Sequence, residues 1–179
     1  GTDIEDASED FADTDNKSVA ALFTMGIING KNATEFAPNA TLTRGMFVTI
    51  LHRIEGEVVV EDGVNFTDVA ADQYYANAVK WANANGIVNG ISDTEFAPNT
   101  EVTREQMAAM ITRYAEYKKF AVAEEGDVTY TDSGEISEYA KASVNAIGDG
   151  ITYKWYVKDK NDEKFRLDEK YVENYYNFD

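Results

Sequence analysis

Gly26-Ile27-Ile28-Asn29-Gly30, Glu35-Phe36-Ala37-Pro38-Asn39 and Thr43-Arg44 return sixty residues later, in order and without a gap. The second copy reads Gly86-Ile87-Val88-Asn89-Gly90, Glu95-Phe96-Ala97-Pro98-Asn99 and Thr103-Arg104. Between residues 26–53 and 86–113, 13 of 28 positions are identical, and the two prolines of the chain fall in register. A fixed period of this size marks one supersecondary unit, duplicated, whose apolar face is buried against its copies. A third, drifted copy begins at Tyr130-Thr131-Asp132, which matches Phe66-Thr67-Asp68 at a spacing of 64. The same spacing pairs Tyr75 with Tyr139, Ala82 with Ala146 and Gly86-Ile87 with Gly150-Ile151.

These matches divide the chain into an acidic lead-in (1–10), a first unit (11–56), a linker (57–65), a second unit (66–117), a linker (118–129) and a degenerate third unit (130–179). Each unit reads as helix, loop, helix. In the second, Tyr75, Val79 and Ala82 form an apolar stripe that stops at Gly86, a natural C-terminal cap. Pro98 forces Ala97 out of helical space. Thr103 caps the following helix, and Gln106 completes a capping box. Met107, Met110, Ile111 and Tyr114 give that helix its buried stripe; Phe47, Ile50, Leu51 and Ile54 hold the same register in the first unit. The first unit is five residues shorter between its Phe and its Gly, so a shorter opening helix is expected there, without counterparts to Tyr74 and Tyr75.

At 179 residues, 44% hydrophobic and 12% aromatic, the chain is long and apolar enough for a real core. Its formal net charge of −17 removes any phosphate-binding footprint, so nucleic acid is not an expected partner. Cysteine is absent, which excludes disulfides and thiolate metal sites. No apolar run approaches the roughly 18 residues of a membrane span, so membrane insertion is not expected. The opening Gly1-Thr2-Asp3-Ile4-Glu5-Asp6 reads as a start that follows a removed leader.

The ordered set Phe-x-Asp, Ala-Val-x-x-Ala, Gly-Ile-Val-Asn-Gly, Phe-x-Pro-Asn and Val-Thr-Arg-Glu resembles the S-layer homology domain, strongly over 11–56 and 66–117 and weakly over 130–151. The resemblance implies a mainly α fold: a pseudo-threefold array of helix-loop-helix repeats around a central three-helix bundle, with ligand grooves between repeats. It also implies an exported bacterial protein held non-covalently at the cell wall by a polysaccharide whose sugars carry a pyruvate ketal. Carried onto this chain, the binding positions are Arg44 and Arg104 with Thr43 and Thr103, Gly30 and Gly90, and Trp81. No catalytic residue, metal or cofactor is implied.

The residue chemistry suits such a ligand. Arginine grips a carboxylate through two parallel charge-assisted bonds. Arg44 and Arg104 follow helix caps, where free N–H groups and the positive helix end also favour an anion. An alternative is a cap followed by a solvated first-turn arginine. Gly30 and Gly90 read as turn residues at positive φ or as points of close backbone approach, and Asn29 and Asn89 as side-chain fasteners of those turns. Asp13 and Asp68 read as caps of the following helices, with sugar-hydroxyl contact as a second role. Trp81 lies beside the stripe, as either a sugar platform or a core-edge ring.

The third unit departs from the pattern: Leu167 stands for the proline and Val172-Glu173 for Thr-Arg, so no carboxylate site is expected there. Residues 152–158 alternate as a strand would, with a hairpin turn at 159–162, and Tyr171, Val172, Tyr175 and Tyr176 read as a helix face. Asp159–Glu163 lacks the glycine and closing glutamate of a calcium loop. His52, the sole histidine, is expected to be exposed or partly packed. No nucleophile elbow or phosphate loop supports an enzyme, and no carboxylate pair stands out for glycoside hydrolysis. The competing reading is a surface-protein assembly module, including self-association, with vestigial grooves.

Overall fold

A computed structural model describes residues 11–120, 130–148, 156–157 and 166–167, and within them the protein is mainly helical. The helices are α1 (Lys17–Thr24), α2 (Arg44–Ile54), α3 (Ala76–Ala84), α4 (Arg104–Tyr117) and α5 (Lys141–Gly148). Two 3-10 turns, Ser133–Glu135 and Glu138–Ala140, lead into α5. The expected hairpin of the third unit is present as β1 (Tyr156–Val157) and β2 (Arg166–Leu167), antiparallel with Tyr156 opposite Leu167. The lead-in, the 159–163 loop and the tail face at 171–176 lie outside the described residues.

Helix ends follow the sequence signals. Thr103 accepts from the Gln106 N–H while the Gln106 side chain accepts from the Thr103 N–H, a complete capping box. After α3, Gly86 takes φ 69°. Its N–H bonds to Asn83 O at 3.0 Å, and that of Ile87 bonds to Ala82 O at 2.8 Å. That pair of bonds is a Schellman motif, and it tucks Ile87 into the core. The shortening of the first unit falls mainly ahead of α1: that helix has 8 residues against 9 in α3.

The core gathers Phe47, Val48 and Leu51 from α2, Tyr75, Ala78, Val79, Trp81 and Ala82 around α3, then Ile87, Val88, Phe96 and Met110. Tyr75, Val79 and Ala82 are buried as their stripe requires. On α2, Phe47 and Leu51 are buried, Ile50 is half-buried and Ile54 is exposed; Val48 takes the deep position instead. His52 also differs from expectation. It is buried, its Nε2 lies 2.9 Å from Val58 O, and its ring centroid is 5.2 Å from that of Trp81.

Main-chain bonds sew the first unit to the second. Arg44 N–H donates to Thr100 O (2.9 Å), Gly45 N–H to Pro98 O (2.8 Å) and Val102 N–H to Leu42 O (3.0 Å), around a bridge between Thr43 and Glu101. Lower down, Glu55 at the end of α2 accepts from Tyr114 OH and pairs with Lys118 Nζ at 2.9 Å. Burial, then that bond to Glu55, pushes the Tyr114 phenol well above its ordinary pKa.

Candidate functional site

The two loops that precede α2 and α4 are built alike. Asp68 accepts from the N–H groups of Phe96 (2.9 Å) and Ala97 (2.6 Å). Asp13 does the same for Phe36 (2.8 Å) and Ala37 (2.7 Å). The aspartates therefore do not cap the next helices: α1 is capped by Asn16, and α3 starts at Tyr75 with no side-chain cap. Each carboxylate instead clamps a turn more than twenty residues away, holding the residue before proline at φ 63° (Ala37) or 59° (Ala97). The bonds from Phe36 and Ala37 hold the Asp13 carboxyl below the usual carboxylate range.

Gly30 and Gly90 are close-approach glycines rather than positive-φ turns. A β-carbon on Gly90 would stand 2.2 Å from Ser92 O and 2.7 Å from Phe66 Cε1; on Gly30 it would stand 2.3 Å from Phe11 Cε1. The ring of the Phe-x-Asp motif seals each loop at its glycine. The side chains that fasten the turns are Asn32 and Ser92, not Asn29 and Asn89. Asn32 Oδ1 accepts from the N–H groups of Thr34 and Glu35, and Ser92 Oγ from those of Thr94 and Glu95.

Arg44 and Arg104 meet different surroundings. Arg44 is 5% exposed. Its Nε donates to Phe96 O (2.9 Å), one terminal nitrogen to Asn89 O (3.1 Å) and the other to Gln106 Oε1 (3.4 Å), and the guanidinium lies 4.6 Å from the Phe96 ring centroid. Burial lowers its pKa from the ordinary value, while Tyr139 and Asp68 act the other way. The first-turn N–H groups of α2 are also occupied, by Thr100 O, Pro98 O and the Thr43 hydroxyl. Arg44 is a brace between the first two units. Arg104 is exposed in the first turn of α4, directly after its Thr103 cap.

Trp81 has no exposed surface. Its ring packs among His52, Tyr114 and Tyr117, and among the described residues its Nε1–H has no partner. No face of it is open to a sugar. Exposed rings at the seams come from residues not singled out in the sequence, Tyr74 (59% exposed) and Tyr139 (52%). The Tyr74-Tyr75 doublet, with no counterpart in the first unit, is the signal that marks the first of them. Tyr139 OH donates to Glu105 at 3.1 Å, and Glu105 also accepts from Ser137 N–H (2.9 Å) and Oγ (3.0 Å). The Ser137 N–H bond leads in holding the Glu105 carboxyl below its ordinary range. Among the described residues no helix is long and apolar enough to cross a membrane, and no His/Asp/Glu cluster could hold a metal.

Residues 10–45 and 65–108 match the family model of the S-layer homology domain. The chain is 33% identical over 137 residues to the surface-layer 125 kDa protein of Lysinibacillus sphaericus, covering 75% of this chain and 11% of that protein. It is 37% identical over 125 residues to an endoglucanase of Bacillus sp. (strain KSM-635), covering 69% and 13%. It is 29% identical over 106 residues to the middle cell wall protein of Brevibacillus brevis, covering 57% and 10%. The chain thus spans only a small part of each of these proteins. Matched at both repeats, and related to surface-layer and cell-wall proteins, the chain is an extracellular module of cell-surface anchoring and belongs to the S-layer homology domain family.

Proposed function

We propose that the chain attaches an exported bacterial protein to the cell wall, without catalysis, by binding pyruvylated wall polysaccharide beside the exposed start of α4. The observation that carries this reading is the contrast between the two Thr-Arg copies: Arg44 is used up inside the fold, whereas Arg104 is exposed at a capped helix start. Arg104 grips the ketal carboxylate in paired geometry. Thr103 fixes the helix start that presents it, as Thr43 does for α2. Gly30, Gly90, Asp13 and Asp68 hold the loops closed, and Arg44 and Trp81 support the seam. The repeat boundaries at 11–56, 66–117 and 130–179 go with this reading.

The test is retention on purified cell walls. The parent chain is retained, and chemical removal of the ketal abolishes retention. Arg104→Ala weakens it about tenfold to a hundredfold, the range for a charge-assisted pair. Arg104→Lys weakens it too, because a point charge lacks the paired geometry. Equal retention of parent and Arg104→Ala, or indifference to the ketal, overturns the reading and favours a protein-assembly module.

A further inference from the structure

Glu105 sits in the first turn of α4, and its carboxylate is turned onto the third unit. Three donors meet it there. Ser137 N–H reaches one oxygen at 2.9 Å, while Ser137 Oγ and Tyr139 OH reach the other at 3.0 and 3.1 Å. All three come from the short stretch that opens the helical run into α5, so the backbone fixes their spacing. Glu105 and Ser137 are half-buried and Tyr139 is exposed, so solvent reaches the edge of the cluster. Donors that converge on both oxygens of a carboxylate make a receptor for an acid group. Here a side chain of the same molecule fills it.

The first seam has no such receptor. Gly45 stands sixty residues before Glu105, so it offers no carboxylate. At the 64-residue spacing Gln73 replaces Ser137, and its N–H bonds instead to Ala70 O at 3.1 Å. Tyr75 replaces Tyr139 and is buried over Gly45. We propose that Ser137 and Tyr139 form a carboxylate cradle in the second seam, and that Glu105 is its built-in occupant and closes the seam to acid groups of the wall polysaccharide. A tethered carboxylate meets its donors at an effective concentration on the order of millimolar or more. One ketal carboxylate, which must also give up its translational freedom, does not displace it. Arg104, next along the helix, keeps the carboxylate contact proposed above, so the chain holds one ketal site and not two. The cradle stands on hydrogen bonds alone; the ketal as the acid it excludes rests on the wall-polysaccharide reading.

The experiment follows the Ser137 amide of the full chain by NMR. Every variant carries Arg104→Ala, so that only the second seam reports. Sodium acetate, or a methyl hexopyranoside with or without a 4,6-pyruvate ketal, is added at constant ionic strength. With Glu105 in place, none of them moves the resonance. Adding Glu105→Ala empties the cradle and keeps the Thr103 and Gln106 box. The amide then moves saturably with acetate and with the ketal sugar, and not with the ketal-free sugar. Adding Tyr139→Phe as well weakens that binding about threefold to tenfold, the loss of one hydrogen bond. An amide that follows acetate with Glu105 in place, or that ignores acetate once Glu105 is removed, overturns the cradle. If acetate moves the Glu105→Ala amide and the ketal sugar does not, closure against wall polysaccharide is overturned. Wall retention of Arg104→Ala against the parent, read separately, then decides whether the wall-polysaccharide reading falls with it.

Discussion

Gly45 lies under the ring of Tyr75: a β-carbon there would stand 3.1 Å from the ring's Cδ1 and 3.0 Å from Pro98 O. The helix start of the first unit therefore admits the ring of the second, and Tyr75 is only 4% exposed. Sixty residues on, Glu105 replaces Gly45, and Tyr139 replaces Tyr75 in the following unit. The carboxylate takes the Tyr139 hydroxyl instead of admitting the ring, which stays in solvent. At this one position the buried ring contact of the first seam is replaced by a hydrogen bond to an exposed ring in the next.

Arg44→Ala destabilises the fold. It leaves Phe96 O and Asn89 O without their guanidinium partner and removes the contact with the Phe96 ring. The expected loss is about 2–4 kcal/mol, read as a shift of the urea midpoint. Arg44→Lys loses most of the same stability, because one ammonium cannot reproduce the forked geometry. Arg104→Ala leaves the midpoint within about 0.5 kcal/mol of the parent, as expected of an exposed substitution.

Acid weakens the chain through Asp13 and Glu105. Both carboxyls are held below their ordinary pKa, by backbone bonds from Phe36 and from Ser137 in the first place. A folded-state pKa below the unfolded value gives stability that is present above the unfolded pKa, about 4, and is lost as pH falls through the folded one. Stability measured by urea at successive pH values should therefore decline below about pH 4. Glu105→Gln should flatten part of that decline; an unchanged slope would show that the Ser137 contact does not form.

Lys119→Gly stabilises the end of α4. Lys119 sits at φ 57°, and the N–H groups of Lys119 and Phe120 bond back to Glu116 O and Ala115 O. That is the cap in which Gly86 serves α3, here with a side chain in left-handed space. Replacement by glycine should gain about 0.5–1 kcal/mol, seen as a rise in Tm. A fall would mean that the lysine side chain contributes more than its backbone costs.

Trp81 reports on the core and not on the ligand. In a Trp155→Phe background its emission should be blue-shifted and shielded from acrylamide, as its complete burial requires. Binding of wall polysaccharide should leave the emission unchanged. Trp81→Ala should cost about 3–5 kcal/mol, the usual toll for emptying a core of so large a ring.

The fold was legible where sequence and structure meet over a few residues. The Thr103 and Gln106 box, the Gly86 terminator and the Tyr75-Val79-Ala82 stripe are local, and each appears where its spacing puts it. The site was less legible because its residues are decided by distant partners. The fate of Arg44 depends on carbonyls forty-five and fifty-two positions away. Asp13 and Asp68 look like helix caps until the loops they clamp return to them. Trp81, just off the stripe of α3, is buried because α2 and α4 close over it with His52, Tyr114 and Tyr117.

The joint between the first two units rests on peptide groups: Arg44 N–H on Thr100 O, Gly45 N–H on Pro98 O, Val102 N–H on Leu42 O. Peptide groups are common to every residue type except for the amide hydrogen of proline. Such a joint tolerates divergence of the side chains around it, so duplicated copies can acquire separate duties while still docking by the same rule. One arginine has become internal framework and its twin has stayed at the surface, without either copy having to invent a new way to meet its neighbour.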